Sequence, residues 1–144
     1  MKMSNNFELI QVSELPSVFN RDIVVDKELL KSCRMEYMVV FQFKKNFDST
    51  ALHVNIRYVT SDSKVLMQEG ASFIVKIEGW REISHDVITL RSNNNIQSLV
   101  DYGLSFVSGM IFHRASGTVM NTVFMPHISA QNIMQNVSFD EVEK

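Results

Sequence analysis

The chain has 144 residues, of which 45% are hydrophobic and 21% are charged, a balance that is ordinary for one globular domain with a buried core. A formal net charge of −2 argues against the clustered basic surface that nucleic acid or anionic lipid requires. No apolar run reaches the roughly 18 residues that span a bilayer, so we expect no membrane insertion. We predict a single domain over residues 1–144, with flexible ends at residues 1–6 and 138–144.

Strand patterns dominate the first half of the chain. A short strand is predicted at Phe7–Val12, and longer strands are predicted at Met35–Phe43, Leu52–Thr60 and Val65–Ile77. Apolar and polar residues alternate most clearly in Leu52–Thr60, which indicates a strand with one buried face. Because the turns between the longer strands are short and polar, the sequence favours antiparallel hairpins.

Helical patterns follow the strands. Ile96–Ile111 has apolar residues at helical spacing over an arc of about 160°, which is wide enough for its own sheet and a partner helix. A shorter C-terminal helix is predicted from Ser129 to Asn136. These elements predict an α+β fold, with a short antiparallel sheet closed by one long and one shorter helix. The long-helix residues assigned to an oligomer interface are Ile96, Leu99, Val100, Gly103, Leu104, Val107, Met110 and Ile111.

No pattern of catalytic or metal-binding residues is present in the sequence. The four histidines lack the spacings of a local metal site, and no serine lies in a nucleophile elbow. Cys33 is the single cysteine, so it forms no internal disulfide and suits a reducing compartment. Residues 1–6 lack the layout of a secretion signal. We therefore expect a cytoplasmic protein without enzymatic activity, cofactor or metal.

Three short patches resemble the SecB family of export chaperones. Gly70–Gly79 has a similar glycine, phenylalanine and glycine pattern at the end of the last long strand. Met110–Arg114 followed by Gly117–Thr118 resembles the end of the long helix in that family, and Phe124–Ser129 resembles its proline-containing approach to a final helix. In the order of its elements, the chain is similar to the family over residues 7–137.

The resemblance implies a protein that holds unfolded or non-native polypeptide in apolar grooves and keeps it from aggregating. It also implies a four-stranded antiparallel β-sheet with a long helix and a shorter C-terminal helix, assembled as a homo-oligomer, either a dimer or a dimer of dimers. Protein export with a SecA-type motor as a further partner is implied as well. Nine methionines and ten phenylalanines suit a surface that accepts varied apolar partners. The candidate peptide-binding residues, taken from strand periodicity, are Met38, Val40, Phe41, Phe43, Tyr58, Leu66, Phe73 and Ile74.

Other functions remain open at this point. Some SecB-like proteins serve as antitoxin chaperones of toxin-antitoxin systems. A curved antiparallel sheet around a long helix is also the outline of hot-dog thioesterases, so a small-molecule or acyl-binding enzyme is the main rival. A deep, enclosed pocket with a carboxylate at a helix end would favour that enzyme, whereas a long open groove would favour the chaperone. A structural interaction protein, with its apolar face covered by one fixed subunit, is a further alternative.

Overall fold

The computed structural model describes residues 7–20, 27–43, 49–84, 86–115 and 133–141. Within these residues the strands are β1 (Phe7–Glu14), β2 (Val18–Phe19), β3 (Arg34–Phe43), β4 (Ser49–Val59), β5 (Val65–Ile77) and β6 (Ser138–Glu141). The helices are α1 (Lys27–Ser32), α2 (Trp80–Ile83), α3 (Val87–Ser92) and α4 (Asn94–Ala115), and a 3-10 turn spans Met134–Asn136. The fold is therefore α+β, as the sequence predicts.

The strands form one mixed sheet with the order β1-β5-β4-β3-β6, and β2 also pairs with β5. β3, β4 and β5 are successive antiparallel strands, in which Leu52 of β4 lies between Phe41 of β3 and Phe73 of β5. These three strands correspond to the predicted long strands within a few residues at each end. Few residues separate each of these strands from the next, and such short connections favour antiparallel hairpins.

The predicted four-stranded antiparallel sheet is wrong in strand number and in direction. β2 extends the sheet along β5, and β6 runs parallel to β3 from the pair Val40 and Ser138 to the pair Phe43 and Glu141. β6 lies in residues 138–144, which the sequence assigns to a flexible end. The ring of Phe139 stacks on Phe41 with centroids 5.2 Å apart, so strand formation removes an aromatic side chain from water.

The hydrophobic core lies on one face of the sheet, under the helices. α4 packs across β4 and β5 at Gly103, where an added Cβ atom would lie 3.0 Å from Val54 and 3.3 Å from Leu52. Trp80 of α2 and Leu90 of α3 are buried in the same core. We call the opposite face, which carries Met38 and His53, the outer face of the sheet.

α4 contains the predicted long helix and begins a little earlier in the chain. The side chain of Asn93 accepts hydrogen bonds from the backbone N–H groups of Asn95 and Ile96, which satisfies donors that a helix N-terminus otherwise leaves unpaired. Half of the predicted helix from Ser129 to Asn136 lies outside the described residues, and the other half contains the 3-10 turn Met134–Asn136. No helix in the described part of the chain is long and apolar enough to cross a membrane.

Gly103→Ala and Gly109→Ala form a matched pair that tests how closely α4 lies on the sheet. Alanine in a helix interior gains about 0.5–1 kcal/mol over glycine. A Cβ atom at Gly109 would have no neighbour within 4 Å, so we expect the full gain there. At Gly103 the close approach to Val54 offsets that gain. Urea unfolding should rank Gly109→Ala as the more stable variant; equal free energies of unfolding would contradict the close contact.

Candidate functional site

Within the described part of the chain, a neighbouring strand covers only part of the outer edge of β3. β6 pairs with Val40–Phe43, at the end of the strand. No strand among the described residues pairs with Arg34–Val39 on that side, and the residues just before β6 form the 3-10 turn Met134–Asn136. An uncovered edge presents backbone N–H and C=O groups to which another strand can hydrogen-bond. We call Arg34–Val39 the open edge.

A groove of about 670 Å³ lies beside the open edge. Strand register places Glu36, Arg57 and Gln68 side by side across β3, β4 and β5 on the outer face. The groove therefore extends from the open edge across the central strands. The described residues that line it are Met35, Glu36, Tyr37, Met38, Asn55, Arg57, Gln68 and Asn136.

Two large apolar side chains are exposed at the open edge. Tyr37 is 39% exposed and Met38 is 54% exposed, and as neighbours in a strand they point to opposite faces of the sheet. A chain that paired with this edge would thus meet an apolar side chain on each face. Methionine is unbranched and adaptable, so contacts with Met38 do not require one particular partner side chain.

A cross-strand ion pair forms the polar part of the groove. Arg57 Nε donates to Glu36 Oε1 at 2.8 Å, and Arg34 Nε donates to Glu36 Oε2 at 3.0 Å. These hydrogen bonds, the one from Arg57 first, lower the pKa of Glu36 below its ordinary value. Arg34 also donates to the carbonyl of Thr60 and to Ser63 Oγ, both at 3.2 Å, which fixes the turn after β4. Arg57 and Glu36 line the groove, and Arg34 adds a second guanidinium group at the adjacent end of the open edge.

A second polar cluster lies on the outer face, farther along β4. His53 Nδ1 lies 2.5 Å from Ser72 Oγ, and His53 Nε2 lies 3.0 Å from Gln42 Oε1. Burial lowers the pKa of His53. In a Ser-His-Asp triad a carboxylate orients the imidazole, whereas the third group here is the neutral amide of Gln42. The cluster links β3, β4 and β5 through side-chain hydrogen bonds.

A buried carboxylate ties the end of α4 to the sheet. Glu69 is 2% exposed, and Arg114 Nη2 lies 3.6 Å from its Oε1 atom. Burial raises the pKa of Glu69, the charge of Arg114 opposes that shift, and Glu14 adds to it. Arg114 also donates to Ser17 Oγ at 3.1 Å. Glu69 is a carboxylate at a helix end, as the acyl-binding alternative requires, but it does not line the groove.

The structure separates the predicted peptide-binding residues into three groups. Met38 lines the groove, and Val40 and Ile74 are half-buried on the outer face. The other five are buried in the core of the single chain, because α2 and α4 cover the face to which most of them point. These five are Phe41, Phe43, Tyr58, Leu66 and Phe73.

The residues predicted to form an oligomer interface pack within the chain itself. Met110 is half-buried, and the other seven are buried against the sheet: Ile96, Leu99, Val100, Gly103, Leu104, Val107 and Ile111. The exposed apolar residues of α4 are instead Tyr102, Phe106 and Phe112. The rings of Tyr102 and Phe106 make edge-to-face contacts with Phe73, with centroids 5.8 Å and 5.4 Å apart.

Sequence reasoning missed Tyr37 as an exposed residue and missed the Glu36 ion pair. Tyr37 shares a strand face with the buried residues Val39 and Phe41, yet it is 39% exposed, whereas Met35 farther along the strand is half-buried against the core. Glu36 and Arg57 are 21 positions apart, and only the hairpin register makes them neighbours. Opposite charges at paired positions would have been the usable signal once that register was assumed.

One of the three patches that resemble the SecB family lies wholly within the described residues, and a second lies there in part. Gly70–Gly79 covers the end of β5, and Met110–Arg114 lies in the last turns of α4. Gly117–Thr118 and Phe124–Ser129 lie outside the described residues. No family model matches the chain, and no curated protein matches its sequence.

Glu36→Gln tests the ion pair in the groove. The pKa of Glu36 is lowered in the folded protein, so its ionised carboxylate stabilises the fold at pH values above the ordinary pKa of 4.5. This stabilisation is lost as the pH falls through the lower pKa of the folded state. We expect Glu36→Gln to melt below the wild type at neutral pH, and the difference to shrink steadily on acidification. Thermal unfolding followed by circular dichroism measures it.

Salt provides the control for this measurement. The ion pair is partly exposed, so about 1 M salt should reduce the difference in melting temperature at neutral pH. A difference that is the same at every pH and at both salt concentrations would show that the charge of Glu36 contributes nothing to stability.

Proposed function

We propose that the protein binds extended, non-native polypeptide and keeps it from aggregating. The observation that carries this proposal is the open edge, Arg34–Val39, beside the groove of about 670 Å³. A polypeptide that adds a strand to this edge forms main-chain hydrogen bonds, and its side chains contact the groove. Strand addition thus gives affinity that does not depend on one client sequence.

The dimensions and chemistry of the site support binding of many clients. The open edge offers roughly 20 Å of strand at about 3.3 Å per residue, enough for a short extended segment. Tyr37 and Met38 supply apolar contact area, while Arg34 and Arg57 supply positive charge. Apolar segments with an occasional acidic residue therefore fit best.

In this proposal the protein is a SecB-like chaperone. The antiparallel pairing of β1, β5, β4 and β3 within the mixed sheet supports this proposal, although β2 and β6 make the sheet larger than the four-stranded one that the resemblance implies. We place the protein in the cytoplasm as a homo-oligomer, with the exposed aromatic side chains of α4 as its contact surface, and with secreted precursors as first candidate clients.

Met38→Lys and Ile88→Lys are matched variants that test the proposal. Met38 lies at the open edge, whereas Ile88 is 78% exposed on α3, and a lysine at either exposed position should change stability little. Light scattering of an aggregating, reduced model protein measures the activity. We expect the wild type and Ile88→Lys to suppress scattering at equal concentration, and Met38→Lys to need several times more protein for the same effect.

Two outcomes would contradict the proposal. If the wild type leaves the scattering unchanged, the protein does not hold non-native polypeptide. If Met38→Lys suppresses aggregation as well as Ile88→Lys does, the activity does not depend on the open edge. Circular dichroism of both variants would establish that each is folded before the comparison.

A further inference from the structure

A strand of the chain itself already occupies the rest of the β3 edge. β6 pairs in parallel with Val40–Phe43, directly in line with the open edge. Ser138, Asp140 and Glu141 are exposed, and Phe139 is the residue of β6 that packs against the core. β6 is therefore held mainly by backbone pairing and by one side chain.

The contacts of Phe139 define what this part of the edge recognises. Its ring stacks on Phe41 with an interplanar angle of 7°, and the guanidinium carbon of Arg91 lies 5.4 Å from the ring centroid. An aromatic ring can bind both a second ring and a cation through its faces. A basic residue beside the ring also favours acidic neighbours, and Asp140 and Glu141 follow Phe139 in the strand.

The residues before β6 are fixed independently of the strand. Ile133, Met134 and Val137 are buried, and Arg91 donates a hydrogen bond to the carbonyl of Met134. Release of β6 from the edge therefore leaves these core contacts in place. The contacts that are lost then include the four backbone pairs and the contacts of Phe139.

We propose that the edge of β3 along Val40–Phe43 is a binding site for an extended segment with an aromatic residue followed by acidic residues. In the folded chain, β6 occupies this site. The inference rests on the proposed function, because it takes the β3 edge as the place where polypeptide binds. When a client segment replaces β6, the accessible edge becomes the whole of Arg34–Phe43, or roughly 33 Å at about 3.3 Å per residue.

Competition between β6 and an added peptide tests the site. The probe is a fluorescent peptide with the sequence of residues 138–143, Ser-Phe-Asp-Glu-Val-Glu, and its anisotropy is measured with the full chain. Phe139→Ala weakens the intramolecular strand, which otherwise competes at high effective concentration. We expect this variant to bind the peptide about tenfold more tightly than the wild type. A peptide with alanine in place of phenylalanine should bind to neither protein.

An engineered disulfide between β3 and β6 can be oxidised and reduced in the same protein, so it tests the site independently of folding defects. Val40 and Ser138 are register partners on adjacent strands, which lie about 4.8 Å apart, so Val40→Cys with Ser138→Cys can form a disulfide. We expect the oxidised protein to bind no peptide and the reduced form of the same protein to bind it. Equal binding by the two forms, or no gain in affinity for Phe139→Ala, would overturn the inference.

The two proposals fail in different ways. If the wild type suppresses aggregation but Phe139→Ala binds no peptide, the site for aromatic and acidic segments is overturned and the holding function stands. If the reduced disulfide variant binds the peptide, the oxidised form does not, and the wild type suppresses no aggregation, the site is supported and the holding function is contradicted.

Discussion

The close packing of α4 on β4 and β5 determines which surfaces of this molecule are covered. Gly103 allows the helix axis to come near the sheet, and the apolar face of α4 then buries the side chains of Leu52, Val54 and Phe73. The same contact directs Tyr102 and Phe106 outward along one flank of the helix. In the described residues the helices cover one face of the sheet, and the outer face and the edges carry no helix.

The two edges of the sheet differ in how they are closed. On the β5 side, β1 and β2 follow one another along the strand, and Leu15 and Asn20 continue the pairing through hydrogen bonds to Gly70 and Leu66. On the β3 side, β6 pairs with only four of the ten residues of β3. Because β1 is itself an outermost strand of the sheet, the proposed function depends on the groove of about 670 Å³ that lies beside the unpaired part of β3.

Periodicity predicted the elements better than their surroundings. The alternation in Leu52–Thr60 and the helical spacing of Ile96–Ile111 depend on local sequence, and both elements are present. Strand alternation indicates which residues share a face but not which face a helix covers. The predicted groove residues therefore include Phe41 and Phe73, which lie in the core. Only the contact of Phe139 with Phe41, which are far apart in sequence, reveals β6.

Trp80 is the single tryptophan of the chain, and its position has a practical consequence. Its indole is buried, with the ring of Phe43 at 5.2 Å and that of Phe41 at 6.5 Å, on the strand segment that also carries β6. Tryptophan fluorescence thus comes from one residue in an apolar environment. Its emission reports directly on the packing of this end of the sheet, without any attached dye.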